Sequence, residues 1–137
     1  MKVYLDTSVI LRVLFHEPDR ITEWGRWTEA YSSRLWRTEA LRTVERLRLE
    51  GRLTDDQMAQ LRTDIDLVHE TLYVVPIAES VLERASEAFP TVVGTLDAIH
   101  LASAIAVRET TPLDALLTHD YQQATAARSL GFNVRGA

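Results

Sequence analysis

Met1-Lys2-Val3-Tyr4-Leu5-Asp6-Thr7-Ser8 opens the chain, and its reading decides the fold. Lys2 to Asp6 reads as a short buried strand, because β-branched, aromatic and aliphatic residues run unbroken up to a carboxylate. Val9 to Phe15 then reads as a helix. A strand that ends on Asp-Thr-Ser and turns straight into a helix is the start of an alternating α/β chain. The carboxylate and two hydroxyls suit cation binding at a strand end. The same three residue types are also good helix N-caps, so capping is the competing explanation.

The alternation continues along the chain. Glu17-Pro18-Asp19 breaks the first helix, and the spacing of Ile21, Trp24 and Trp27 predicts a second one. Ala30 to Ser32 is a weak strand. Leu35 to Leu49 has apolar residues Trp36, Ala40, Val44 and Leu47 near helical period, with Gly51 as its stop. Thr54-Asp55-Asp56-Gln57 predicts a capping box for a helix to about His69. Leu72 to Ile77 reads as a strand, and Ala78 to Ala88 as a helix ended by Pro90. Asp97 to Val107 is almost wholly apolar and predicts a buried helix, with Thr95 available as its cap. Ala115 to Thr118 is a short strand, Tyr121 to Leu130 a helix ended by Gly131, and Phe132 to Val134 a last strand. Strands alternating with helices imply an open, mostly parallel sheet covered on both faces. Ligands bind such sheets beyond the carboxyl ends of the strands, where Asp6 and Asp120 both fall.

Composition narrows the chemistry. The 137 residues suit one domain spanning 1–137, and 46% hydrophobic content is enough for a core. No stretch reaches the roughly 18 apolar residues of a membrane helix. A first strand at the very start leaves no room for a signal peptide, and the absence of cysteine fits a reducing cytoplasm. It also removes disulfides and thiolate metal sites. The net charge of −5 argues against nucleic-acid binding by bulk charge. The distribution is more informative. Arg34, Arg37, Arg42, Arg46, Arg48 and Arg52 fall among only three acids, Glu39, Glu45 and Glu50, which makes a basic helix in an acidic protein. A solvated face with local ion pairs and a phosphate-facing surface are both consistent with it.

Four carboxylates sit where different elements meet: Asp6 after the first strand, Glu39 on the mid-chain helix, Asp97 at the start of the apolar helix and Asp120 after the strand at Ala115. Glu39 lies at the edge of the Trp36, Ala40, Val44 stripe, with Arg42 three residues on as a candidate ion-pair partner. Asp97 is surrounded by apolar residues, and a buried unpaired carboxylate is expensive. The helix N-terminus eases that cost, and a divalent cation eases it further. Asp120 is equally placed to cap the following helix. Two carboxylates about 5 Å apart repel by roughly 3 kcal/mol at an effective dielectric of 20, so a cluster of four calls for counter-charge. Oxygen-only sites suit Mg²⁺ or Mn²⁺. His100 reads as packed within its helix and His119 as a loop residue, while His16 and His69 carry no signal. Trp24, Trp27 and Trp36 read as core or partner contacts.

These segments together resemble a PIN-domain ribonuclease, specifically the VapC-type toxins of the VapBC toxin–antitoxin family. The resemblance covers essentially the whole chain. It rests on Leu5-Asp6-Thr7-Ser8, Thr38-Glu39-Ala40-Leu41-Arg42, Leu96-Asp97-Ala98-Ile99-His100-Leu101-Ala102 and Leu117-Thr118-His119-Asp120, in that order, with Leu130-Gly131-Phe132-Asn133-Val134 as a closing strand. It implies a Rossmann-like three-layer α/β/α sandwich with a mostly parallel sheet. It implies a metal-dependent endoribonuclease in which Asp6, Glu39, Asp97 and Asp120 surround Mg²⁺ or Mn²⁺, and a metal-activated water hydrolyses an RNA phosphodiester. Thr7, Ser8 and Thr118 would be accessory polar groups. Arg42 and Arg46, on the helix that carries Glu39, are candidate contacts to the RNA backbone. The resemblance further implies a homodimer, a small antitoxin as partner in a toxin–antitoxin hetero-oligomer, contact with DNA only through that antitoxin, and a cytoplasmic location without membrane contact. The alternative is a catalytically silent module of the same fold that holds a basic peptide or a structural cation in the acidic pocket. A phosphoaspartate protein fits less well, because Ser8 stands where a phosphatase needs a second aspartate and Lys2 is the only lysine.

Overall fold

A computed structural model describes residues 1–137. Five parallel strands form one sheet in the order β3-β2-β1-β4-β5. The elements are β1 (Lys2–Leu5), α1 (Thr7–Leu14), β2 (Glu29–Ser33), α2 (Leu35–Leu49), α3 (Asp55–Thr71), β3 (Tyr73–Val75), α4 (Glu79–Ala85), α5 (Thr95–Thr110), β4 (Ala115–Leu117), α6 (Tyr121–Ser129) and β5 (Val134–Arg135). The alternation read from the sequence is therefore present, with boundaries shifted by a few residues.

The side-chain period of a strand explains the two layers. Val3 and Leu5 of β1, with Ala115 and Leu117 of β4, face one way and pack with Val9, Ile10, Trp36, Ala40, Val44, Leu61 and Ile65 from α1, α2 and α3. Tyr4 and Leu116 face the other way and pack with Leu101, Ala104, Ala126, Ala127 and Phe132. The result is a three-layer Rossmann-like α/β/α sandwich. The fully buried Trp36 indole donates from Nε1 to His69 Nδ1 at 3.1 Å, which gives His69 a structural role its sequence context did not reveal.

Local chemistry sets the helix ends. Thr54 and Gln57 form the expected capping box on α3. Gly51, at φ +70°, ends α2 in a Schellman arrangement: its N–H donates to Arg48 O and the Arg52 N–H to Leu47 O, each at 2.9 Å. Three expectations are corrected. Residues 16–28 contain turns and no helix, because His16 and Asp19 take positive φ and Gly25 sits at φ +78°. Trp24 and Trp27 instead meet edge to face, with centroids 5.2 Å apart, and pack against the core. The cap of α5 is Gly94, with Thr95 already helical. The last strand is Val134–Arg135 rather than Phe132 to Val134: Phe132 turns into the core, with the Arg108 guanidinium 4.0 Å from its ring centroid. Asn133 joins only the rim of the sheet, accepting from the Leu116 N–H at 2.8 Å.

β1 lies at the middle of the sheet, and the chain moves from it to β2 on one side and β4 on the other. Leu5 pairs with Leu117, and the ladder continues one step further, where the Asp6 N–H donates to Leu117 O at 2.9 Å. A crevice forms beyond the carboxyl ends of parallel strands at such a switch point.

Candidate functional site

Asp6 lies at that switch point and is only 5% exposed. Its Oδ2 accepts from the Ser8 N–H at 3.2 Å, from the Ser8 hydroxyl, and from Thr118 Oγ1 at 3.0 Å. Oriented as a donor, the buried Gln123 amide reaches Asp6 Oδ1 at 3.0 Å and Thr118 Oγ1 at 2.9 Å. Asp6 thus caps α1 and collects donors from β4 and α6 at once. Capping, one of the two explanations the sequence left open, is made by this side chain, and the same carboxylate gathers the neighbouring hydroxyls. Ser8 and Thr118 belong to this cradle, and Ser8 Oγ also accepts the His119 N–H at 3.0 Å.

Glu39, on α2, resolves its two readings differently. It makes no ion pair with Arg42. Its Oε1 instead accepts from Thr7 Oγ1 at 2.7 Å and lies 2.6 Å from His100 Nε2. His100 is 1% exposed, and its other ring nitrogen is 2.9 Å from Tyr4 Oη. The reading of His100 as merely packed within its helix is therefore corrected. It is buried, but among the carboxylates, with Nε2 also 3.9 Å from Asp6 Oδ1. Burial pulls its pKa down, yet the Glu39 hydrogen bond and the charges of Asp6, Glu39 and Asp97 hold it above the usual value.

Asp97 is the third residue of α5, in its first turn, where the helix dipole favours an anion. Even so, its carboxyl is pushed up to about 6, by burial first and then by the charges of Asp120 and Asp6, with Glu39 adding and His100 opposing. The other three acids all act on Asp97. Asp120 caps α6, its Oδ1 accepting the Gln123 N–H at 2.8 Å, while its own N–H donates to Thr118 Oγ1 at 3.0 Å.

No arginine or lysine forms a salt bridge with any of the four; the only cationic candidate that touches them is His100. The four do not make a closed metal cage, since no three His, Asp or Glu side chains converge round one point. Glu39 and Asp120 each commit an oxygen to internal hydrogen bonds. The donor set nonetheless fits a hard divalent cation: it is carboxylate oxygen, short of positive charge, with hydroxyls at its rim.

Arg42 and Arg46 are exposed on α2 and take part in no ion pair. Arg37, Arg48 and Arg52 are paired with Asp66, Glu45 and Glu50. Arg46, with Arg12 and Arg52, lines an open groove of about 630 Å³ that reaches Ser8 at the edge of the acidic cluster.

Three side chains of the site were not assigned to it from the sequence: His100, read as packed within its helix, Gln123 and Tyr4. His100 follows Asp97 by three residues, one helical turn, so the helix places both on one side. Gln123 bears the same relation to Asp120. Tyr4 and Asp6, two apart on an extended segment, point to the same face.

The PIN domain family model matches residues 3–129. The chain belongs to the PIN-domain family. It is 31% identical to Ribonuclease VapC47 of Mycobacterium tuberculosis (strain CDC 1551 / Oshkosh) over 137 residues, 95% of this chain and 93% of that protein. It is 32% identical to Ribonuclease VapC46 of Mycobacterium tuberculosis (strain ATCC 25618 / H37Rv), over 96% of this chain and 95% of that one. These relatives make it a PIN domain of the VapC type. Its fold is similar to VapBC2 from Rickettsia felis bound to a DNA fragment from their promoter, with TM-score 0.67 at 14% identity over 98% of each chain. It is also similar to a toxin–antitoxin complex from Klebsiella pneumoniae, with TM-score 0.65 at 14% identity over 97% of this chain and 95% of the other. No helix of this PIN domain is long and apolar enough to cross a membrane.

Proposed function

We propose that residues 1–137 form one catalytic PIN domain, a Mg²⁺- or Mn²⁺-dependent endoribonuclease that serves as the toxin of a type II toxin–antitoxin pair. The observation that carries this reading is Asp97. Its carboxyl is raised to about 6 by burial and by Asp120, Asp6 and Glu39, and His100, the one cationic candidate among them, only partly offsets this. A cation bound there relieves that repulsion. When bound, it supplies positive charge to the phosphodiester and makes water a stronger nucleophile near neutral pH.

Asp6 and Asp97 are the principal ligands in this reading. Glu39 binds the cation or orients water, and Asp120 serves as an outer or second ligand. Thr7, Ser8 and Thr118 hold the acids in place. Water adds across one P–O bond of the RNA. Arg46 and Arg42 face outward beside the site and contact backbone phosphates. The kinship with VapC ribonucleases supports RNA as the substrate, a small antitoxin as the inhibitor, a homodimer within the complex and work in the cytoplasm.

The test is cleavage of total cellular RNA by the purified protein with Mn²⁺ or Mg²⁺, set against EDTA and Asp97→Asn. Discrete metal-dependent products, lost in the variant, are expected. Folded, antitoxin-free protein that binds Mn²⁺ yet cuts nothing would shift the reading to a silent binding module.

A further inference from the structure

Glu39 is gripped by one oxygen. Thr7 Oγ1 and His100 Nε2 both meet Oε1, at 2.7 and 2.6 Å. Behind His100 the contacts continue inward: Nδ1 lies 2.9 Å from Tyr4 Oη, and Tyr4 Oη accepts the Ser33 N–H at 3.1 Å. This line runs from the end of β2 through β1 and α5 to α2. Tyr4 and His100 are both essentially sealed from solvent.

The geometry dictates where the protons sit. With the Tyr4 phenol un-ionised and one lone pair occupied by Ser33, its O–H is free to donate to a neutral imidazole at Nδ1. Nε2 then carries the ring proton and donates to Glu39. In the cationic ring Nε2 is protonated as well. In both states the imidazole gives Glu39 a donor, never a competing lone pair. A buried histidine needed only for packing would not require partners on two other elements.

Resting on the metal-site reading above, we infer that Tyr4 and His100 are positioning residues for Glu39. They fix Oε1 inward and leave Oε2 as the oxygen offered to a divalent cation. Outer-shell partners of this kind typically change metal affinity by about 10–100-fold.

The experiment is a titration of the full chain with Mn²⁺, following free ion by electron paramagnetic resonance, for wild type, His100→Leu, His100→Gln and Tyr4→Phe. Circular dichroism and melting temperature report folding, and kcat and KM are measured on one RNA. His100→Leu should weaken Mn²⁺ binding about 10–100-fold with KM for RNA unchanged. His100→Gln should recover most of it, because its amide nitrogen replaces Nε2. Tyr4→Phe should show a smaller loss. Wild-type Mn²⁺ affinity in folded His100→Leu would make His100 a core residue only and overturn the inference. His100→Gln no better than His100→Leu would also overturn it, because a donor to Glu39 would then not be what matters. Should His100→Leu not fold, wild-type affinity in Tyr4→Phe overturns it. A wild-type protein that binds no Mn²⁺ at all would sink the metal-site reading itself, a result unlike any of these.

Discussion

The Asp6 N–H donates to Leu117 O at 2.9 Å, so β1 and β4 stay paired up to the residue that carries the first carboxylate. The acid is thereby fixed by the sheet, and its Oδ2 then gathers Ser8 and Thr118. Removing it strands those donors and uncaps α1. Asp6→Ala should destabilise the metal-free protein by about 2–4 kcal/mol, the sum of a lost cap and unpaired buried groups. Urea unfolding in EDTA measures this, and an unchanged midpoint would show that the cradle is not structural.

Asp97 should behave in the opposite way. Its carboxyl titrates near 6 in the fold against an ordinary 3.8. Between those values the folded protein keeps a proton that the unfolded chain gives up. Stability is therefore lost as pH rises through that window, and the whole cost is present at neutral pH. Asp97→Asn should raise the stability of the metal-free protein at pH 7.5 by about 1–2 kcal/mol, discounted for its partial exposure. The gain should fade as pH drops toward 4. A variant that abolishes activity while raising the melting temperature would mark a site kept at the expense of stability.

The same titration governs the cation. Mn²⁺ at a hundredfold excess over its Kd should stabilise the wild type by about 2.7 kcal/mol, on the order of 10 °C in melting temperature. Because the ligand must be ionised, the apparent affinity should fall about tenfold per pH unit below the Asp97 pKa of about 6. Calorimetric titrations from pH 5 to 7.5 measure this; a flat profile would remove Asp97 from the ligand set.

The sheet and its flanking helices were legible because each depends on local pattern. Val3-Tyr4-Leu5 is a buried strand in its own residues, and Thr54 with Gln57 spells its own cap. The segment at Ile21, Trp24 and Trp27 misled because a three-residue spacing also fits two indoles folding onto a core across a turn, and the positive φ of His16, Asp19 and Gly25 decides between them. His100 was misjudged for a related reason. Its partners Tyr4 and Glu39 lie 96 and 61 residues away, so nothing within its own helix reveals them. In the arginine-rich segment the ion-pair reading holds for Arg37, Arg48 and Arg52, while Arg42 and Arg46 form no ion pair.

Arg46 lines the groove beside Ser8 without an ion-pair partner. Arg46→Ala should weaken RNA binding and lower the slope of log affinity against log salt by about 0.7, the effect of one lost phosphate contact on a single strand. Arg48→Ala, already neutralised by Glu45, should change the slope less. Equal slopes in wild type and Arg46→Ala would take this face out of the RNA path.

Gly136 ties the chain terminus to the site. It adopts φ +103°, and a Cβ there would sit 2.6 Å from Thr118 O. Its carbonyl accepts from His119 Nδ1 at 2.9 Å, while the Thr118 N–H donates to Arg135 O at 3.1 Å. The tail therefore clamps the residue whose hydroxyl holds Asp6. Gly25 is the matched control, also at positive φ but with nothing near its absent Cβ. Gly25→Ala should cost about 1 kcal/mol from backbone strain alone. Gly136→Ala should cost more, because Thr118 must move, and should also weaken Mn²⁺ binding by displacing its hydroxyl from Asp6. Thermal melts and Mn²⁺ titrations of the two variants separate strain from displacement. Equal losses in stability with unchanged Mn²⁺ affinity would show that the tail does not hold the site.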